Sequence, residues 1–250
     1  MANWSDPKAG LQGEARAGLD TGARDVAYDA GLRSYMLKVY NYMASGILLT
    51  GIVAMLFARG GAESPAATII MSGGLLSWVI ILSPLAFILV MSFGMHRMST
   101  GALQVCFWAF ATVMGLSLST IFLRYTGTSI AQTFFATSAA FVSLSLWGYT
   151  TKKDLSGWGT FLIMGVVGLL VAMVINIFLQ SQAMTYVISG IGVLVFAGLT
   201  AYDTQKIKSM YQYVAGTDMM GKTVIMGALN LYLDFINMFL FLLNFMGGRE

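Results

Sequence analysis

Asp234 is a carboxyl inside a run that is otherwise apolar, Val224 to Met246. A charge in such surroundings is costly, so it faces a partner or has a task. It lies 12 residues beyond Lys222, about 18 Å along a helix, too deep for an interfacial position. Asn230 at i−4, Asn237 at i+3 and Gly227 at i−7 extend it into a narrow polar stripe on one helix face. Asp203 ends the preceding apolar run, with Lys206 at i+3. An Asp203–Lys206 surface pair would account for it at little energetic value. Consecutive antiparallel helices, however, bring Asp203 and Asp234 to the same half of the bundle. Two adjacent carboxyls cannot both ionise cheaply, so they act as a proton switch. Their oxygens also suit a hard cation, held weakly, because a tight calcium site needs about 6–8 oxygens. The plain alternative for Asp234 is a protonated or hydrogen-bonded residue that only stabilises the bundle.

Arg97 closes the second apolar run. It reads either as an interfacial anchor or as a fixed counter-charge to the two carboxyls. His96 beside it could titrate, and Asn176 could hydrogen-bond between helices. The chain holds one His and one Cys, Cys106, which excludes an intrachain disulfide, a Cys-based zinc site and any centre needing two His ligands. No phosphate-loop, zinc-protease or nucleophile-elbow spacing occurs, so the chain does not read as an enzyme. No span holds the lysine a retinal Schiff base requires.

These residues must be positioned by membrane helices. Of 250 residues, 57% are hydrophobic and 10% charged, against roughly 25% charged in soluble domains, and the mean hydropathy is +0.75. Spans of about 20 apolar residues run from Val39 to Ala58, Thr68 to Met95, Ala102 to Leu123, Ile130 to Thr150, Thr160 to Leu179, Met184 to Tyr202 and Val224 to Met246. The fifth and sixth divide a charge-free stretch, Leu155 to Tyr202, at Gln180-Ser181-Gln182. The runs are too long and too uniformly apolar for membrane β-strands. The expectation is an all-α membrane protein of seven transmembrane helices.

With the N-terminus inside, the inner segments carry Lys8, Arg16, Arg24, Arg33, Lys38, Arg97, Lys152, Lys153, Lys206, Lys208 and Lys222. The outer ones carry only Arg59, Arg124 and Arg249. The positive-inside rule then places the N-terminus in the cytoplasm and the C-terminus outside. The net charge of +3 reflects topology rather than a nucleic-acid partner. Residues 1–33 lack the apolar core of a signal peptide and read as a flexible polar cytoplasmic tail, with a short helix near Tyr28–Lys38. Residues 34–250 form one membrane domain, a monomer or weak oligomer in the lipid bilayer.

Three segments, Tyr149-Thr-Thr-Lys-Lys-Asp-Leu-Ser-Gly157, Gly198-Leu-Thr-Ala-Tyr-Asp-Thr-Gln-Lys-Ile-Lys208 and Leu231-Tyr-Leu-Asp-Phe-Ile-Asn237, resemble the Bax inhibitor-1 (transmembrane Bax inhibitor motif) family in its bacterial inner-membrane branch. The similarity runs from about Leu32 to Arg249. It implies six helices around a central seventh, and a pH-sensitive calcium leak gated by a di-aspartyl pair. Asp203 and Asp234 match that pair as pH sensor and transient calcium site, with calcium as the transported ion and no tightly bound cofactor. Arg97 matches the arginine that latches the first aspartate in the closed form. Asn230 and Asn237 support the pair. Some similar bacterial proteins instead modulate a membrane-bound quality-control protease through the N-terminal tail, an alternative partner for residues 1–33.

Overall fold

The computed structural model describes residues 7–70 and 72–248, with side chains from residue 26 onward. The chain is helical almost throughout. The helices are α1 (Pro7–Phe57), α2 (Leu75–Gly94), α3 (Thr100–Leu118), the single turn α4 (Ile121–Arg124), α5 (Gly127–Thr150), α6 (Trp158–Leu179), α7 (Gln182–Val214) and α8 (Met219–Met246). Seven segments are long and apolar enough to cross a membrane: Val26–Phe57 of α1, α2, Thr100–Arg124, α5, α6, α7 and α8. This is an all-α bundle, the architecture of a multi-pass membrane protein.

Local chemistry explains where the helices stop. Gln180 takes a left-handed φ of 49° and ends α6, and the Ser181 side chain then accepts the Met184 N–H to open α7. Asn176 binds both sides of this break: its Oδ1 accepts from Ser181 N, and its Nδ2 donates to Thr185 Oγ1 at 2.8 Å. Ser99 and Thr126 cap α3 and α5 in the same manner, each satisfying an N–H that the helix leaves orphaned. Pro84 lies inside α2. A proline there releases the carbonyl four residues earlier, and Ile80 O accepts from Ser117 Oγ of α3 at 2.6 Å.

Three spans differ from the hydropathy reading. The second was expected from Thr68, yet α2 begins at Leu75 behind a separate turn, Ala66–Ile70. Gly73 with φ 70° separates the two, because a left-handed residue cannot continue an α-helix. The sixth was expected to close at Tyr202, whereas α7 continues to Val214 and keeps Asp203, Lys206 and Lys208 on a helix. The first extends towards the N-terminus, and residues 7–33, expected as a lead-in tail, form the opening part of α1.

Burial ranks the helices. In its most apolar window α8 is 67% buried, against 11% for α6 and 17% for α2. α8 packs against α1, α3, α5 and α7, while α2 rests on α3 and α6 on α7. Tyr232 of α8 lies at the centre, fully buried. Its ring meets Phe107 and Phe110 of α3 edge-on, with centroids 6.4 and 5.1 Å away. Its hydroxyl lies 2.7 Å from Thr50 Oγ1 of α1, which donates to Ala111 O of α3. One hydroxyl pair thus joins three helices without leaving a polar atom exposed to hydrocarbon.

Candidate functional site: the carboxyls of α7 and α8

Small residues allow close packing around the turns of α7 and α8 that carry Asp203 and Asp234. Gly148 of α5 lies directly against the backbone of Ala201, leaving no room for a Cβ, and Ile207 of α7 covers Gly227 of α8. Asp203 lies on α7 and Asp234 on α8, two helices that pack against each other. Asp234 is buried, 4% exposed, and Asp203 is half-buried. Asp234 Oδ2 has no hydrogen-bond partner among the described residues.

The other expected residues are arranged differently. Lys206 is the positive group acting on Asp203. Arg97 stands apart, exposed in the turn that follows α2. That helix ends at Gly94, and the turn closed by Arg97 N–H and Met98 N–H on Gly94 O carries the guanidinium to the surface. His96 is exposed beside it. Asn237 Nδ2 donates to Leu233 O of its own helix at 2.8 Å, and Asn230 is half-buried. Among the described residues no three His, Cys, Asp or Glu side chains gather as a metal site.

Sequence reasoning passed over what surrounds the pair. Thr204, next to Asp203, is fully buried. Its Oγ1 donates to Thr200 O and lies 2.9 Å from Ser145 Oγ of α5, which is 2.6 Å from Tyr40 OH of α1. Gln205 holds the loop between α5 and α6, accepting from Leu155 N and donating to Lys153 O, both at 2.8 Å. Lys208 Nζ donates to Tyr149 O and lies 4.8 Å from the centre of that ring. Thr204, Gln205 and Lys208 therefore tie α7 to α5 and to its following loop. A hydroxyl or amide flanking a buried carboxyl was the available signal. In that loop, hydrogen bonds from Ser156, the side chain first and then the backbone N–H, hold the exposed Asp154 carboxyl below the ordinary aspartate range.

The family model for the inhibitor of apoptosis-promoting Bax1 matches residues 32–250. The chain belongs to the Bax inhibitor-1 family. Its relatives include the protein RP147 of Rickettsia prowazekii, 47% identical over 93% of this chain and 97% of the relative. A protein of Caulobacter vibrioides is 44% identical over 90% of this chain and 93% of its own. The inner membrane protein YbhL of Escherichia coli is 42% identical over 88% and 94%. All of the residues of the α7 and α8 site lie inside the matched region.

Proposed function

We propose that this family member is a pH-sensitive, calcium-permeable leak channel of the bacterial inner membrane, with Asp203 and Asp234 as its proton sensor. The observation that supports the reading is Asp234, buried on α8 with an Oδ2 that finds no hydrogen-bond partner among the described residues, on a helix packed against the one that carries Asp203. While they share a proton, the contact holds α8 in place within its ring of helices. When the proton leaves, two like charges face each other in a poorly hydrated site and the helices separate. A preference of a few kcal/mol between the two arrangements is enough for a gate. Calcium, coordinated by two carboxylates and by water, passes without being retained. The N-terminus lies in the cytoplasm, as the concentration of Lys and Arg at one end of the bundle supports. The family resemblance gives Arg97 a closing contact with Asp203. Since Arg97 stands apart here, that contact belongs to another state of the gate.

The test is calcium entry into dye-loaded proteoliposomes from mildly acidic to mildly alkaline pH, for wild type, Asp203→Asn and Asp234→Asn. The expected result is a pH-dependent flux that either substitution flattens. Identical pH–flux curves in all three would remove the pair from the mechanism.

A second reading rests on α1. It begins at Pro7, well before its charge-free apolar run starts at Val39. Such an arm suits a modulator of a membrane-bound quality-control protease. Removing residues 1–25 leaves flux intact if the protein is a channel, and abolishes the effect on proteolysis if it is a modulator.

A further inference from the structure

A groove of about 930 Å³ runs between α1 and α5, with Phe235 of α8 at its base. Its rim is exposed hydrocarbon, including Leu37, Leu48, Val142 and Leu146. Of the four hydroxyls in its lining, Tyr40 and Ser145 are 2.6 Å apart and bonded to each other, and Ser138 donates to Phe134 O of its own helix, so what the groove offers an occupant is mostly apolar. Along α1 it extends from Arg33 to Met55, and along α5 from Tyr149 to Phe134, a length of about 22 to 33 Å. The mean cross-section is then about 30 to 40 Å². That is room for a hydrocarbon chain lying along the two helices.

Charge selects the other half of the occupant. Arg33, at one end, is the charged residue of the lining; it is exposed and has no ion pair among the described residues. Lys208 lies over the Tyr149 ring at the same end. We propose that the groove binds an anionic phospholipid, with its phosphate at Arg33 and one acyl chain lying between α1 and α5. Half of a bilayer's hydrocarbon is about 15 Å thick, which brings the end of the chain close to Ala44, eleven residues beyond Arg33. Tyr40 and Ser145 of the wall belong to the hydroxyl chain that reaches Thr204, so the lipid lies against a chain that ends one residue from Asp203.

The test uses the full chain in nanodiscs doped with spin-labelled phosphatidylglycerol or phosphatidylcholine, reading the motionally restricted lipid. Wild type should restrict phosphatidylglycerol about fivefold more, the preference expected from one cation at the headgroup. Unlabelled phosphatidylglycerol should displace the label, and free glycerol phosphate should not. Arg33→Gln, at an exposed side chain, should bring the ratio to about one. Ala44→Trp, whose side chain leans back towards the helix N-terminus, should fill the groove and remove the restricted component for both lipids, with an unchanged unfolding temperature. Equal restriction of the two lipids in wild type, or full restriction in a folded Ala44→Trp, overturns the proposal. Cross-linking of wild type into a dimer that Ala44→Trp abolishes would assign the groove to a second copy instead, and also overturns it.

Discussion

Ser145 on α5 and Thr204 on α7 stand hydroxyl to hydroxyl at 2.9 Å, one residue from Asp203. Thr204 also donates to Thr200 O, so its proton is committed and Ser145 must donate to it. Tyr40 OH then donates to Ser145. The order of donors runs from α1 through α5 to α7.

Ser145→Ala breaks this order at its middle. Interhelical hydrogen bonds in membranes contribute about 0.6 kcal/mol on average and up to about 1.7. The variant should lose stability within that range, and the double variant Ser145→Ala/Thr204→Val should lose less than the sum of the two singles. Unfolding of the detergent-solubilised protein measures both. Strict additivity would show that the two hydroxyls are not coupled.

For the carboxyls, the isosteric Asp234→Asn keeps the shape and polarity of the side chain while removing one titratable group. The fold should survive and the pH response of flux should flatten. A purely structural aspartate predicts the opposite pattern: lower thermal stability with the pH dependence of flux unchanged. Arg97→Gln is a separate arm. If the other state of the gate uses the guanidinium, basal flux rises; if not, flux follows wild type.

Gly148→Val places a side chain where Ala201 backbone already stands. Relieving it means moving α5 away from α7, because neither backbone can give locally. Overpacking of this kind costs about 1–3 kcal/mol. The Tyr40–Ser145–Thr204 chain crosses the same interface, so the variant should also accelerate hydrogen exchange around Thr204.

Asp154 supplies a pH effect outside the membrane spans. Its carboxyl is held below its ordinary range by Ser156, so the turn it forms is stabilised at neutral pH. That contribution is lost as the pH falls through the folded-state value. Protection of the Ser156 amide from exchange should therefore decrease on acidification, relative to an unbonded loop amide. In Asp154→Asn the amide oxygen still accepts and does not titrate, so the acid-induced loss should disappear.

Much of this was legible along the chain. Seven spans follow from composition, because a helix in hydrocarbon must be apolar over its whole length. Gln180-Ser181-Gln182 marked the break between α6 and α7, and the cap at Ser181 and the left-handed Gln180 are its physical cause. Asp203 and Asp234 stood out as carboxyls where carboxyls are costly. Thr204 and Gln205 did not, because a hydroxyl or an amide in a motif says nothing about its partner. Ser145 lies 59 residues from Thr204, and Tyr40 lies 105 from Ser145.

The order of the helices, their apolar lengths and the two carboxyls were written in hydropathy and spacing, which are properties of neighbouring residues. The position of Arg97 was not. Its place on the surface depends on where α2 ends and how the following turn closes on Gly94. Nor was the groove between α1 and α5, two helices that both pack on α8. A side chain's partner is set by which helices touch and at what rotation. Those choices are made by packing between residues far apart in the chain, where local periodicity carries no information.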